Sequence, residues 1–211
     1  MTISTSSQYG LAIHTTTPQL GIAIDNFAGD SRHHIWDLGR DLSSCLHQYL
    51  QQILQPQTWQ DLQFIAVAKG PGGFTGTRIG VVAARTLGQQ LNIPVYGIST
   101  LAAVAHSALN DIEADSLVAV QMNTRREQLF VAVYRISQKG IWYDYLADTT
   151  TNEAQWQQTL TQLEQPWQLV KVKDEIAHTV DSILALAMIR DRQGLKSQWF
   201  DVIPFYGQHP V

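Results

Sequence analysis

The fold is decided by the stretch Ala68-Lys-Gly-Pro-Gly-Gly-Phe-Thr-Gly-Thr-Arg-Ile-Gly80, which follows an apolar run that begins at Phe64. The apolar run predicts a buried strand, and the periodic segment from Thr75 to Gln90 predicts a helix. Thr75 is the expected N-cap, because its hydroxyl can accept a hydrogen bond from the free N–H groups of the first turn. The glycines between strand and helix permit a tight turn and the close approach of another backbone; they are Gly70, Gly72 and Gly73.

A phosphate or nucleotide site is one interpretation of this loop, because a glycine-rich turn leading into a helix N-terminus is a ready anion site. The phosphate-loop pattern G-x-x-x-x-G-K-[ST] is absent, however, and the spacing Gly70-x-Gly72-x-x-x-Gly76 only loosely resembles a dinucleotide fingerprint. Pro71 also removes an N–H donor from the loop. The spacing therefore favours a structural turn.

The helix that follows carries two apolar faces. One of them is predicted to face the core and consists of Ile79, Val82, Ala83, Thr86 and Leu87. The other is a ridge of small residues at a spacing of four, formed by Gly76, Gly80, Ala84 and Gly88. Because a glycine inside a helix costs about 1 kcal/mol relative to alanine, the ridge predicts close approach of another backbone. That backbone belongs either to the chain's own sheet or to a helix of a partner protein.

Composition sets the broad class. The chain has 211 residues, of which 45% are hydrophobic, enough for one large or two small globular domains. Its net charge of −4 provides no large basic field to attract nucleic acid. The single cysteine, Cys45, rules out an intramolecular disulfide. A reducing cytoplasm is the expected location, since the polar N-terminus lacks a signal-peptide layout and no apolar run approaches the ~18 residues of a membrane span.

The predicted elements run twice in the same order along the chain. The first half reads as three strands, helix, strand, helix, strand, helix, and the second half as three strands, helix, strand, helix. A repeated unit of three meandering strands followed by alternating helices and strands predicts an α/β fold of two stacked lobes. The lobes are assigned to residues 1–110 and 111–211, the second being shortened. The actin, Hsp70 and sugar-kinase (ASKHA) superfamily has this architecture.

Gly70-Pro-Gly-Gly-Phe-Thr-Gly-Thr-Arg-Ile-Gly80 closely resembles the hallmark Gly-Pro-Gly-Ser-Phe-Thr-Gly-x-Arg-Ile-Gly segment of the TsaB (YeaZ) family. The segment Ile93-Pro-Val-Tyr-Gly-Ile-Ser-Thr-Leu101 matches the family's next strand and helix start, and Leu11-Ala-Ile-His-Thr-Thr16 is similar to its first strand. Pro204-Phe-Tyr206, with Pro210-Val211, is similar to the family's Pro-x-Tyr-Leu-Arg tail. The resemblance spans most of the chain.

The resemblance implies a non-catalytic subunit, with no catalytic residue and no metal of its own. TsaB proteins bind a catalytic homologue, TsaD. With the ATPase TsaE, they support threonylcarbamoylation of the adenosine beside the tRNA anticodon. No cofactor is expected on this chain alone, because the complex uses ATP through its partners, and tRNA is reached indirectly. A homodimer in the absence of the partner is an open alternative.

The family contacts its partner through helices of the first lobe. The resemblance therefore implies that the small-residue ridge and the apolar face of the preceding helix form the interface, a set consisting of Gly76, Gly80, Ala84, Gly88, Leu42, Leu46 and Leu50. The loop motif comprises Gly70, Pro71, Gly72, Gly73, Phe74, Thr75 and Arg78. The opposite face of the Leu42–Leu54 helix is polar yet uncharged, which is typical either of a solvated surface or of a contact.

The chain departs from the family pattern at the openings of both lobes. His14-Thr15-Thr16 stands where the family usually has Asp-Thr-Ser, and Asn123-Thr124-Arg125 stands where it has Asp-Ala-Arg. In nucleotide-hydrolysing relatives of this fold, carboxylates at the lobe openings hold Mg²⁺ or orient a water molecule. These departures predict little or no nucleotide hydrolysis by the chain itself.

The alternative function is a self-sufficient enzyme of the same fold, either nucleotide-dependent or peptidase-like. Against a peptidase, the chain has no G-x-S-x-G elbow, and Cys45 lies at an apolar position of a predicted helix. His33, His34 and Asp37 are a weak metal-ligand set, because they lack the H-E-x-x-H spacing. Arg125 and Arg126 could contact RNA, although two arginines in an acidic chain are typical of an ordinary turn.

Overall fold

The first sheet is the scaffold of the molecule. The computed structural model describes residues 8–109, 116–124, 128–136, 142–172 and 175–207. Its first sheet is mixed, with strand order β3-β2-β1-β4-β5. The strands are β1 (Tyr9–His14), β2 (Gln19–Asp25), β3 (Ser31–Asp37), β4 (Leu62–Ala68) and β5 (Val95–Ile98). β1 pairs antiparallel with β2 and parallel with β4, so the predicted strand meander at the start of the chain is confirmed.

The second sheet repeats the first without its fifth strand. Its order is β8-β7-β6-β9, formed by β6 (Leu117–Asn123), β7 (Leu129–Ile136), β8 (Trp142–Thr151) and β9 (Trp167–Lys171). Numbered within each repeat, both sheets read 3-2-1-4, with an added fifth strand in the first. The predicted fold of two mixed α/β lobes with a shortened second lobe is therefore confirmed.

The five helices alternate with the sheets in layers. They are α1 (Leu42–Leu54), α2 (Phe74–Leu91), α3 (Thr100–Ser107), α4 (Glu153–Thr161) and α5 (Val180–Arg192). Leu11 and Ile13 of β1 face α1 and α2, whereas Ala12 faces a central layer that contains α3 and α5. The far face of the second sheet packs on α4 through the fully buried Trp156. None of the described helices is long and apolar enough to cross a membrane.

α2 lies on the sheet by the small ridge together with part of the predicted core face, since Ile79, Ala83 and Leu87 pack in the core. Val82, expected in the core, is 62% exposed, whereas Gly80 and Ala84 are buried. The small ridge lets the helix backbone approach the β1–β2 turn, and this orientation turns Val82 outward. The predicted cap is also wrong: helix α2 begins at Phe74 with Gly73 as N-cap, and Thr75 is exposed. Ser99 caps α3 and accepts hydrogen bonds from the N–H groups of Leu101 and Ala102.

The end of the described chain returns to the first lobe. α5 packs against β1, β2 and β4, and Leu184 of α5 lies beside Phe64 and Gly10. After α5, a short 3-10 turn at Trp199–Asp201 packs against α2. Residues 175–207, assigned from the sequence to the second lobe, therefore pack chiefly against elements of the first. The predicted boundary at residue 110 lies outside the described residues.

His14 ends β1 within the layer between the two sheets. Its side chain is 0% exposed, and neither ring nitrogen has a hydrogen-bond partner among the described residues. The pKa of His14 is lowered to about 3, chiefly by burial away from water and to a smaller extent by the nearby His178. The imidazole is therefore neutral in the folded protein at ordinary pH.

Gly76→Ala tests the close approach of α2 to the turn. A Cβ on Gly76 would overlap the backbone carbonyl oxygen of Thr15. Helix propensity alone predicts stabilisation by up to about 1 kcal/mol, but the overlap should reverse the sign and destabilise the fold by about 1–3 kcal/mol. Urea denaturation measures the difference. Gln89→Ala, on the exposed side of the same helix, is the control and should stay within about 0.5 kcal/mol of the parent. A more stable Gly76→Ala protein would contradict this packing.

His14 should make the fold less stable in acid. Its folded pKa lies below its unfolded value near 6.5. In this pH range the unfolded chain binds a proton at His14 and the folded chain does not, so stability falls as pH drops from about 6.5 toward 3. Between pH 7.5 and pH 5 this amounts to about 2 kcal/mol. Denaturation at both pH values should show a smaller loss for His14→Gln than for the parent. His47→Gln, at an exposed position of α1, should keep the parent's loss. Equal losses in all three proteins would exclude this role for His14.

Candidate functional site

The two lobe openings carry no carboxylate at the positions where the family has one. The first opening, after β1, holds the buried His14 described above. At the second, Asn123 ends β6 opposite Leu129, and the N–H of Thr124 donates to the carbonyl of Gln128 at 2.9 Å. Arg125 and Arg126, the predicted RNA contacts, lie outside the described residues. The groups present at positions 14 and 123 are thus a neutral imidazole and an amide, neither of which is a good Mg²⁺ ligand.

The motif loop is packed on the chain's own backbone from two sides. On one side the N–H of Gly73 donates to the carbonyl of Thr16 at 2.7 Å, and a Cβ on Gly72 would lie 2.5 Å from the Cβ of Thr16. On the other side the N–H of Phe205 donates to the carbonyl of Lys69 at 2.7 Å. Gly70 has a φ of +103°, and a Cβ there would overlap the carbonyl of Phe205. These contacts explain the glycines of the loop by packing and give no support to a phosphate cradle.

The residues predicted to contact a partner are taken up by the chain's own core. Leu42, Leu46 and Leu50 are 4%, 1% and 1% exposed and pack in the cluster between α1 and the first sheet. A side chain on Gly80 would overlap the hydroxyl of Thr15, and one on Gly88 would overlap Val95. Ala84 is fully buried, and Gly76 lies on Thr15. All seven residues therefore have packing partners within the chain, and their direct contact with a partner protein stays a prediction.

The outward side of α2 is a strip of arginine and apolar side chains, which we call the α2 outer face. It consists of Phe74, Arg78, Val82, Arg85 and Gln89. Phe74 is 47% exposed and Val82 is 62% exposed. The guanidinium carbon of Arg78 lies 4.9 Å from the centroid of the Phe74 ring. Arg78 and Arg85 are the charged residues of α2, which has no acidic side chain.

The outward side of α1 is polar and carries no Asp, Glu, Lys or Arg. Its exposed residues are Ser43, Ser44, His47, Gln48, Gln51 and Gln52, as the sequence pattern predicts. Helix α1 contains neither acidic nor basic residues other than His47. Uncharged polar side chains are inexpensive to desolvate compared with charged ones, so this face can be covered at little cost.

The C-terminal segment carries exposed apolar residues that sequence reasoning missed. Phe200 and Ile203 are 54% and 67% exposed, and Tyr206 lies with its ring centroid 4.5 Å from that of Phe74. Trp199 lies beneath Arg85, whose guanidinium carbon is 5.7 Å from the ring centroid. The sequence feature that could have drawn attention to this segment is the similarity of Pro204-Phe-Tyr206 to the family tail. That similarity does not show where the segment packs.

A buried polar network joins the two lobes behind the motif loop. The hydroxyl of Tyr134 donates to Oδ1 of Asp148 at 2.8 Å and lies 3.2 Å from the hydroxyl of Ser99. Burial raises the pKa of Asp148, although the hydrogen bonds from Ser99 and Tyr134 and the charge of Lys69 oppose that rise. The network links β7 and β8 to the start of α3, so it serves to hold the lobes together.

The predicted metal ligands do not converge. Nδ1 of His33 lies 2.9 Å from a carboxylate oxygen of Asp181, and the His34 ring lies against Trp36 with centroids 4.5 Å apart. Within the described ranges no three His, Cys, Asp or Glu side chains come together as a metal site would require. His33 and His34 are neighbours on a strand, so their side chains point to opposite faces.

Comparison with known proteins identifies the family. Residues 31–185 match the family model described as "TsaD: tRNA N6-adenosine threonylcarbamoyltransferase". The tRNA threonylcarbamoyladenosine biosynthesis protein TsaB of Bacillus subtilis (strain 168) is 32% identical over 158 residues, which cover 74% of this chain and 67% of that protein. The TsaB protein of Escherichia coli (strain K12) is 30% identical over 135 residues, 63% of this chain and 58% of the relative. The second match thus spans little more than half of that protein.

The solved structures give the same fold. YeaZ from Pseudomonas aeruginosa superposes with a TM-score of 0.75 at 20% identity and covers 94% of this chain and 100% of that one. A second Pseudomonas aeruginosa structure, described as similar to peptidase YEAZ, gives a TM-score of 0.78 over 95% of this chain. The matched family model covers most of the described chain, and the Bacillus subtilis relative, 32% identical over 74% of this chain, is a TsaB protein. The chain therefore belongs to the TsaB (YeaZ) family.

Proposed function

We propose that this chain is a non-catalytic subunit that binds a TsaD-like protein and supports threonylcarbamoylation of the adenosine beside the tRNA anticodon. Two relatives named for tRNA threonylcarbamoyladenosine biosynthesis support a role in this pathway. The observation that carries the proposal is Val82, 62% exposed in the middle of the α2 outer face. An aliphatic side chain held in water between two arginines is typical of a residue that a partner covers.

The lobe openings support the non-catalytic role. A nucleotide-hydrolysing site of this fold needs anionic groups at the openings to hold Mg²⁺ or to orient water. Here position 14 is a neutral, fully buried imidazole and position 123 is an amide. The chain therefore contributes surface rather than chemistry, and the enzyme alternative has no group at these positions to support it.

The other partners follow from the same proposal. A TsaE-like ATPase supplies nucleotide hydrolysis to the complex, so no cofactor is bound by this chain alone. The catalytic partner holds the tRNA, because this chain has a net charge of −4 and neutralises few phosphates. Without the partner, the α2 outer face is available for a homodimer. The complex acts in the cytoplasm, where its tRNA substrate is found.

Val82→Asp should weaken binding of the TsaD-like protein from the same genome by about 10- to 100-fold. The substitution places a charge in the middle of a surface that must be desolvated on binding, and it should leave the fold intact because Val82 touches little of the core. Isothermal titration calorimetry, beside a melting curve, measures the effect. Tyr145→Asp, at a 51% exposed position of β8, is the matched control and should bind like the parent. Unchanged affinity for Val82→Asp would remove the α2 outer face from the interface.

The isolated chain should show no Mg²⁺-dependent ATP turnover above a blank. The physical reason is the absence of carboxylates at positions 14 and 123. A coupled phosphate-release assay on the purified chain, with and without Mg²⁺, tests this. Steady turnover that requires Mg²⁺ and disappears on substitution of one residue of the chain would favour the self-sufficient enzyme instead.

A further inference from the structure

The C-terminal segment runs beside α2 in the opposite direction. We call Trp199, Phe200, Ile203 and Tyr206 the C-terminal strip. At its start, the Cβ of Trp199 would lie 3.5 Å from a Cβ on Gly88, near the end of α2. At its end, Tyr206 stacks on Phe74, the first residue of the helix. The strip is thus fixed to α2 at both ends of the helix.

Between these two anchors, both elements expose apolar side chains. On α2 the exposed residue is Val82, and on the strip the exposed residues are Phe200 and Ile203, at 54% and 67%. Their chain neighbour Val202 is 2% exposed and packs into the core. The segment therefore holds Val202 inward while it presents Ile203 to water. A fixed, outward-facing apolar pair beside an apolar helix face is typical of a binding surface.

The strip is also fixed to the second lobe. The hydroxyl of Thr150 in β8 donates to the carbonyl of Gly207, and a Cβ on Gly207 would overlap the ring of Phe130 in β7. Phe205 packs edge-on against the same ring, with centroids 6.5 Å apart. A segment already held at α2, at the motif loop and at the second sheet loses little conformational entropy when it binds a partner.

We infer that the C-terminal strip and the α2 outer face form a single docking surface for the TsaD-like protein. This inference rests on the proposed function and extends it from the helix to the C-terminal segment. The matching surface of the partner is apolar at its centre and carries carboxylates opposite Arg78 and Arg85. The charge follows because α2 contributes two arginines and no acid, and because α1 beside it has no acidic residue. Asp201, the carboxylate between Phe200 and Val202, already accepts a hydrogen bond from the N–H of Gln198.

A protein suits this surface better than RNA does. RNA is held on exposed aromatic platforms with phosphates beside cationic groups. Here Val82 and Ile203, the most exposed apolar residues of the surface, are aliphatic and offer no ring on which a base could stack. The rings of Phe74 and Trp199 each lie against an arginine, and the ring of Phe200 packs edge-on against Trp199. An apolar centre with arginines around it is the composition of protein interfaces.

The test is the double variant Phe200→Ser/Ile203→Ser in the full chain, titrated with the TsaD-like protein from the same genome. Both side chains are more than half exposed, so the melting temperature should hardly change. Affinity for the partner should fall at least ~10-fold. The matched control is Tyr143→Ser/Tyr145→Ser, which removes two aromatics that are each 51% exposed on β8. This control should bind like the parent.

The outcomes separate the inference from the function on which it rests. If Val82→Asp loses binding while Phe200→Ser/Ile203→Ser binds within twofold of the parent, the strip is not part of the interface, although the proposed function stands. If Val82→Asp also binds normally, the α2 outer face is not part of the interface and the inference is overturned. The proposed function itself fails only if the parent protein does not bind the TsaD-like protein. Should the double variant bind the partner normally but lose affinity for tRNA in a gel-shift titration, the strip is an RNA surface and the inference is overturned.

Hydrogen exchange on the parent protein gives an answer that does not depend on any variant folding. Backbone amides of residues 199–206 should exchange more slowly when the partner is bound, as should the exposed side of α2. Protection confined to α2 would overturn the inference. At higher salt the affinity should fall, because the expected carboxylates of the partner face the exposed Arg78 and the half-buried Arg85. Salt-independent binding would contradict the acidic character assigned to the partner.

Discussion

The structure depends on the close contact between helix α2 and the turn that joins β1 to β2. Three helical positions, Gly76, Gly80 and Gly88, have no room for a side chain, and the two nearest to the turn lie on Thr15. Because the helix backbone is held this close, the loop before it is pressed onto Thr16, where Gly73 donates its N–H. The orientation of α2 follows from this contact. Its small residues lie inward with Val81, whereas Val82 is left exposed.

The fold could be predicted from the sequence because its signals are local and repeated. Buried strands appear as apolar runs, and the repeated element order reports the two sheets without any knowledge of contacts. The orientation of α2 could not be predicted in the same way. Hydrophobicity favoured Val82 as a core residue, yet the space available at Thr15 decided the matter, and such space depends on residues distant in sequence. Positions 80 and 82 lie on almost opposite sides of the helix, so the steric contact that buries Gly80 leaves Val82 exposed.

The candidate surface illustrates the same limit. The loop motif and the helix that carries it could be located from the order of glycine, proline and arginine. The exposure of Phe200 and Ile203 could not, because both follow α5 in sequence and the turn at Trp199–Asp201 reaches α2 only through tertiary packing. The family resemblance implied an interface on the helices of the first lobe, but it could not tell buried positions of those helices from exposed ones. The periodic leucines of α1 and the small residues of α2, which have the clearest sequence pattern, pack inside the chain.

The position of α5 has a consequence for the order in which the chain can fold. The inner face of the first sheet, with Ala12 and Ala23, is covered by α5 in the central layer. During synthesis all five strands of that sheet leave the ribosome long before α5 does. Until then the first lobe has an uncovered apolar face, and contacts of such large sequence separation form slowly. A nascent chain therefore passes through a stage in which the strands of the first sheet have been synthesised but α5 has not. Chaperones that bind apolar surface would act at that stage.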